Sequence, residues 1–199
     1  LSEPQSGSDA AALMTRADVT DGGDYVINGQ KVFTSGMDIS DYCLLATRTE
    51  NTDKKHEGIT NFLVDTKLPG IDIQRIATLG HRAIGTTQVF YSDVKVPADA
   101  VLGEVGEGWR ALDTCLWYER LCLSAARTGA AQAAFEGALE YAKTREQFGK
   151  PIGKFQAISH KLADMKVMLD ISRMLAYRFA WLVSEGKATR SDAAVIKLH

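Results

Sequence analysis

The spacing of apolar residues changes near the middle of the chain, and this change constrains the fold more than any other feature. Between Tyr25 and Val105, apolar residues occur in short runs rich in Val, Ile, Phe, Tyr and Thr, separated by Gly, Asn, Asp or Pro. Such runs are typical of strands. Because no helical pattern lies between them, we expect about six strands in an antiparallel β-sandwich or partial barrel. A hairpin turn is predicted at Asn28-Gly29, since both residues tolerate positive φ.

The second half of the chain has helical spacing instead. From Trp109 to about Arg145 there is neither proline nor a turn cluster, and apolar residues recur every three or four positions, which predicts one long helix. A second helix is predicted from about Gln156 to Glu185. A third begins near Ser191, which we expect to be its N-cap.

These patterns predict an α+β fold with two domains. Residues 1–105 should form the β domain, and residues 106–199 should form part of an antiparallel helical bundle. Two long helices with wide apolar stripes need further helices to bury them. We therefore expect the chain to be an internal piece of a longer protein.

Composition excludes several classes of function. A net charge of -2 across 199 residues gives no basic field, so nucleic acid is a poor candidate partner. No apolar run is long enough to span a bilayer or to mark a secretory signal. The three cysteines lack metal-like spacing. We expect a cytoplasmic protein, or a mitochondrial matrix protein in a eukaryote, with no metal site.

The first candidate ligand-binding stretch is SEPQSGSD, which precedes the first strand. Its small residues let backbone N–H groups and the hydroxyls of Ser2, Ser6 and Ser8 approach a ligand closely. A phosphate or a flat polar ring edge would suit such a loop. The alternative is a flexible Ser/Gly linker.

The second stretch, QKVFTSG, places Phe33 beside the hydroxyls of Thr34 and Ser35 at a strand end. An aromatic wall next to hydrogen-bonding groups could bind a ligand. The alternative is a packed core aromatic followed by a polar turn.

The third stretch, TREQFGKPIGKFQ, follows the long helix and contains Arg145, Phe148 and Gln156. Arg145 could bind a pair of phosphates with its planar guanidinium while Phe148 stacks on a ring. The alternative is a helix C-terminus with a favourable cation.

Five motifs together resemble the acyl-CoA dehydrogenase family in their order and separations. They are, from the N-terminus, SEPQSGSD, NGQKVFTSG, LGHR with VKVPADAVLGEVGEGW, YERLCLSAARTG, and TREQFGKPIGKFQ with LADM. The resemblance runs throughout the chain. It implies that the chain comprises the middle β domain and the first part of the C-terminal helical domain, with a helical domain before it and further helices after it.

The resemblance implies an FAD site. The residues it assigns to the cofactor are Leu1, Ser2, Glu3, Ser8, Phe33, Thr34, Ser35, Arg145, Phe148 and Gln156. By this resemblance Ser2 touches the isoalloxazine ring, Ser8 reaches the pyrophosphate or the bound thioester, Phe33 packs against the flavin and Ser35 bonds near flavin N5. Ser2 and Ser35 stand where the family usually has Thr, and both keep the hydroxyl.

The third motif implies an oligomer. Arg145, Phe148 and Gln156 look like the family residues that reach the FAD of a neighbouring subunit, with Arg145 on its diphosphate. The resemblance therefore implies a homodimer or homotetramer.

The reaction implied is α,β-desaturation of an acyl-CoA thioester, a step of fatty acid β-oxidation. A glutamate removes the α proton, the β carbon passes a hydride to flavin N5, and the electrons leave to an electron-transferring flavoprotein. Such a base needs a dry pocket that raises its pKa. Most family members take this glutamate from beyond the equivalent of His199, whereas a minority, resembling isovaleryl-CoA and long-chain dehydrogenases, take it from the position of Glu119.

Glu119 is thus the candidate base, and an exposed, ion-paired helix glutamate is the alternative. Tyr118 and Arg120, together with Ser8, are the residues expected to shape the acyl-CoA pocket.

Two other functions remain open. One is an acyl-CoA oxidase or a related flavin monooxygenase on the same fold. The other is an inactive structural or interaction fragment, and we expect the 199-residue piece alone to be inactive.

Overall fold

The computed structural model describes all residues, Leu1–His199, and the chain forms two compact units. The N-terminal unit comprises Leu1–Asp113 and the C-terminal unit comprises Thr114–His199. No helix in either unit combines the length and the apolar character that a membrane crossing requires.

The N-terminal unit is built on one six-stranded, mostly antiparallel sheet, which confirms the β part of the predicted α+β class. The strands are β1 (Arg16–Val19), β2 (Tyr25–Ser35), β3 (Tyr42–Arg48), β4 (Ile59–Asp65), β5 (Ile71–Ile76) and β6 (Thr86–Val96). Their order across the sheet is β4-β3-β1-β2-β6-β5. Neighbours pair in antiparallel fashion except β1 and β3, which run parallel and meet at Arg16 and Arg48.

The larger hydrophobic cluster of this unit lies on one face of the sheet. It is made by alternate residues of the strands, because successive side chains of a strand point to opposite faces. Its fully buried members include Ile27, Phe62, Val64, Val89 and Val94. Burying each such side chain contributes roughly 1.5–3 kcal/mol.

The predicted hairpin at Asn28-Gly29 is wrong, because both residues lie inside the continuous strand β2. The Asn28 side chain instead accepts a hydrogen bond from Asp93 N (2.9 Å) and donates one to the Asp93 carboxylate (3.1 Å), at a bulge in β6. Gly29 permits a close approach of Thr15, whose Cα would lie 2.7 Å from a Cβ at this position. The dipeptide therefore serves strand packing instead of a turn.

Three helices follow, close to the predicted ranges. They are α1 (Gly108–Thr144), α2 (Gln156–Ser184) and α3 (Arg190–Leu198), and a small hairpin of β7 (Glu146–Gln147) and β8 (Lys150–Pro151) joins α1 to α2. The helix α1 begins within the N-terminal unit, where its residue Leu112 packs with Ala11 and Ile59.

In the C-terminal unit, α2 and α3 share a small core of Ala176, Phe179, Ala193 and Ile196. The N-cap of α3 is Thr189, not Ser191. The Thr189 hydroxyl accepts from Asp192 N, and the Asp192 carboxylate accepts from Thr189 N, which forms a capping box.

Candidate functional site

The N-terminal loop of the chain is fixed to β2 through a buried carboxylate. Glu3 is only 4% exposed, and its side chain forms a 2.7 Å ion pair with the ammonium of Lys31. The same carboxylate accepts hydrogen bonds from the Thr15 hydroxyl (2.6 Å), from Thr15 N (3.0 Å) and from Met14 N (2.6 Å). Both carboxylate oxygens of Glu3 thus accept hydrogen bonds from the protein itself, so the side chain is not available to bind a ligand.

This environment keeps Glu3 ionised. Burial acts to raise the pKa of the carboxyl, but the charge of Lys31 and the hydrogen bonds from Lys31, Thr15 and Met14 outweigh it and lower the pKa to about 2. The loop is therefore held by a charged pair at neutral pH.

Ser2 is brought next to the segment that contains Phe33. The amide of Val32 donates a 2.9 Å hydrogen bond to the carbonyl of Ser2. A bulge follows in β2, since Lys31 faces Val89 whereas Thr34 faces Thr87, leaving an extra residue on β2. Bulges re-aim side chains, and here the ring of Phe33 is 67% exposed with a backbone φ of 58°.

The strand end beyond Phe33 is held by the neighbouring strand β6 and by Gly85, the residue just before it. The Thr87 hydroxyl donates to the carbonyl of Thr34 (2.9 Å), and Gly36 N donates to the carbonyl of Gly85 (3.0 Å). Ser35 is exposed at the last position of β2. The fold thus brings Ser2, Phe33, Thr34 and Ser35 to one edge of the N-terminal unit, with polar groups beside an exposed aromatic ring.

Ser8 lies on the exposed part of the loop. Its neighbour Gly7 has no heavy atom within 4 Å of the place where a Cβ would stand, so protein packing does not require glycine there. Behind it, Ser6 is buried and its hydroxyl donates to the carbonyl of Asp9 (2.7 Å). The loop therefore presents open backbone at Gly7 and a free approach to Ser8.

In the C-terminal unit, Arg145, Phe148 and Gln156 are grouped around the β7–β8 hairpin. Arg145 is exposed just before β7, and its carbonyl accepts from Ile152 N (2.8 Å), which closes the hairpin. Phe148 lies in the turn and is 92% exposed, and Gln156 is the exposed first residue of α2. The ring of Phe148 meets that of Phe155 edge-on at 6.1 Å.

Phe33 and Phe148 share an unusual backbone conformation. Only four non-glycine residues have positive φ, and these two are among them, at 58° and 53°. A bulky residue in the left-handed region costs roughly 1–2 kcal/mol, and such outliers cluster at functional sites. Both of these outliers are largely solvent-exposed aromatic rings, so core packing does not explain them.

Glu119 lies on α1 with an exposed side chain, as does Tyr118, whereas Arg120 is half-buried. Trp117 and Leu121 pack toward the core that α2 and α3 share. Glu119 lies two positions from each of them, which at about 100° per residue places it on the opposite face of the helix. Arg120 lines a cavity of about 360 Å³ together with Ser124 and Ile196.

Sequence reasoning missed Lys31. The residue is 2% exposed, and it lies in the inward phase of β2 with Tyr25 and Ile27. A charged residue in the buried phase of a strand was the available signal, because such a group needs a buried partner.

Two family models match the chain in order. Residues 1–94 match the acyl-CoA dehydrogenase middle domain, and residues 106–199 match the acyl-CoA dehydrogenase C-terminal domain. Among curated relatives, the short-chain-specific acyl-CoA dehydrogenase of Megasphaera elsdenii is 38% identical over 99% of this chain and 51% of its own length. The mitochondrial isovaleryl-CoA dehydrogenase of Oryza sativa is also 38% identical, over 100% of this chain and 48% of its own.

Solved structures that superpose on the chain agree with these sequence matches. Butyryl-CoA dehydrogenase from Megasphaera elsdenii superposes with a TM-score of 0.91 at 38% identity, covering 98% of this chain and 51% of its own. A structure of PigA with FAD and proline superposes with a TM-score of 0.93 at 32% identity, covering 99% and 51%. The chain spans about half the length of the proteins that it matches.

Proposed function

Since the chain belongs to the acyl-CoA dehydrogenase family, we propose that its protein performs FAD-dependent α,β-desaturation of an acyl-CoA thioester. The observation that carries this proposal is the meeting of the SEPQSGSD loop with the end of β2, through the 2.9 Å hydrogen bond from Val32 N to the Ser2 carbonyl. Electrons would leave to an electron-transferring flavoprotein.

The side chains at this place in the N-terminal unit support the proposal by their chemistry. A flavin ring has an apolar body and polar edges, and the ring of Phe33 with the hydroxyls of Ser2, Thr34 and Ser35 offers a matching surface. The open backbone at Gly7 and the exposed Ser8 suit a phosphate, because small residues allow close approach of backbone N–H groups. Bound FAD would supply the hydride acceptor.

The hairpin of the C-terminal unit supports a second set of contacts. The exposed Arg145 carries a planar, permanently charged donor set that matches a diphosphate, and the exposed ring of Phe148 can stack. In the proposed assembly these residues and Gln156 serve the FAD of a neighbouring subunit, in a homodimer or homotetramer.

The general base is proposed to be Glu119, in the manner of the isovaleryl-CoA dehydrogenase type. A carboxylate in this role needs a substrate or further protein to exclude water from it, since the side chain is exposed within this chain. Arg120 and Tyr118 would contact the acyl-CoA. A base in another part of the full-length protein is the alternative.

The test is an anaerobic titration of the full-length protein with a panel of acyl-CoA thioesters, following the loss of flavin absorbance. Wild type, Glu119→Gln and Glu136→Gln are compared, the last changing another exposed glutamate on α1. Bleaching in wild type and Glu136→Gln, with FAD retained but not bleached in Glu119→Gln, supports the proposed base.

Other outcomes discriminate the alternatives. Bleaching in all three proteins places the base elsewhere. Rapid reoxidation of the reduced flavin by oxygen favours an oxidase or monooxygenase. A full-length protein that retains no FAD, or responds to no thioester, overturns the dehydrogenase function.

A further inference from the structure

The pair of Glu3 and Lys31 is the most deeply buried ion pair in the chain, with each side chain 2% exposed. Burying two charges costs free energy that their attraction only partly returns, so a buried pair is weak evidence for stability. A buried pair can instead fix one arrangement of the segments it joins. The segments joined here are the loop and the strand that the proposed function places against FAD.

Lys31 binds the residues that precede and follow Ser2. Its ammonium donates to the Glu3 carboxylate at 2.7 Å and to the Leu1 carbonyl at 3.3 Å, and these residues flank Ser2 in the chain. The adjacent Val32 N holds the carbonyl of Ser2 itself. Leu1, Ser2 and Glu3 are thus each hydrogen-bonded to Lys31 or Val32, the two residues that precede Phe33.

Glu3 extends the restraint to β1. Its oxygens accept from Thr15 and Met14, at the entry to β1, and from the side-chain amide of Gln5 at 2.6 Å. Loop, first strand and second strand therefore meet at one carboxylate. A neutral side chain of the same size could fill the space, but an amide cannot accept from all of these donors.

We propose that Glu3 and Lys31 are positioning residues that set the spacing of Ser2 and Phe33 for the flavin, so that losing their charges weakens FAD binding beyond any loss of stability. The inference rests on the proposed function. It concerns how tightly and in which geometry the flavin is held, and it assigns no contact between either residue and the reacting atoms.

The test measures two quantities in the full-length protein: the dissociation constant of FAD, from quenching of flavin fluorescence, and the midpoint of urea unfolding. The visible circular dichroism of the bound flavin reports its geometry. Lys31→Met and Glu3→Gln should each weaken FAD binding at least about 10-fold and alter the dichroism. Val64→Ala, a core substitution on β4, is the control for lost stability alone.

The double variant Glu3→Gln/Lys31→Met separates positioning from stability. It leaves no unpaired buried charge, so its unfolding midpoint should recover most of what either single variant loses. Its FAD affinity should stay weak. Recovery of the affinity and the midpoint together, or an affinity loss no larger than that of Val64→Ala, overturns the proposal.

Should the single variants fail to fold, Thr15→Val decides the question. It removes one hydrogen bond to Glu3 at nearly constant volume, and a loss of about 3-fold in FAD affinity is expected. No change in affinity or dichroism would count against a positioning role. Failure of wild type to bind FAD would instead overturn the proposed function, so the two failures are distinguishable.

Discussion

The amide of Val32 donates a 2.9 Å hydrogen bond to the carbonyl of Ser2. This bond joins the first loop of the chain to the C-terminal part of β2, one residue before Phe33. Ser2 and Phe33, the two predicted flavin contacts, are far apart in sequence, but this bond fixes their backbones close together. Substitutions that displace β1 or β2 should consequently also shift the SEPQSGSD loop.

Gly29→Ala should lower the free energy of unfolding by about 1–3 kcal/mol, as overpacking does. The new Cβ would lie 2.6 Å from the Thr15 hydroxyl and 2.7 Å from Thr15 Cα, and a backbone atom cannot move aside cheaply. Urea unfolding measures the effect. Gly137→Ala is the control, because nothing lies within 4 Å of the place where its Cβ would stand. It lies inside α1, where alanine should raise the free energy of unfolding by roughly 0.5–1 kcal/mol.

The contribution of Glu3 to stability should depend on pH. Its folded pKa of about 2 lies below its usual value of 4.5, so the stabilisation is fully present above about pH 4.5 and is lost as the pH falls toward 2. The amount is on the order of 3 kcal/mol. Unfolding free energies of wild type and Glu3→Gln should differ most at pH 6 and converge only as the pH falls to about 2 and below, because protonated glutamate resembles glutamine. A difference that is constant with pH would contradict the lowered pKa.

Phe148→Gly should leave the free energy of unfolding unchanged within about 1 kcal/mol, because relief of the positive φ offsets the lost contact with Phe155. FAD affinity should fall roughly 2- to 10-fold, the value of one aromatic interaction. Fluorescence titration and urea unfolding check both. Asp93→Gly changes another positive-φ residue outside the predicted site and should leave FAD affinity unaltered.

Thr189→Ala should destabilise α3 by about 1 kcal/mol, since the capping hydroxyl is lost. Hydrogen exchange of the α3 amides measures this locally. Ser191→Ala changes the exposed residue two positions later and should have an effect within about 0.5 kcal/mol. Equal effects of the two substitutions would refute Thr189 as the cap.

The long helices were predicted to within about two residues because their apolar spacing extends over many turns. The error at Asn28-Gly29 has a tertiary cause. The close approach of Thr15 and the bulge at Asp93 decide the role of that dipeptide, and neither is visible in the local sequence. The cap of α3 was misplaced by two residues because Thr189 and Ser191 are both suitable caps.

The candidate site was predicted through short motifs, and the structure adds how those motifs meet. Ser2 and Phe33 could each be named from their own stretch. The buried phase of β2 could have indicated that Lys31 is buried, but it could not identify Glu3 as the partner, since ion pairing between segments depends on the tertiary fold and not on local pattern.

The order of strands in the sheet has a consequence for biosynthesis. The strand β2 lies between β1 and β6, but residues 86–96 leave the ribosome long after residues 25–35. Until β6 emerges, β2 has an unpaired edge, which is a template for pairing with another nascent chain. Slow elongation between these strands should therefore lower the yield of folded protein, and chaperones that cover extended segments should restore it.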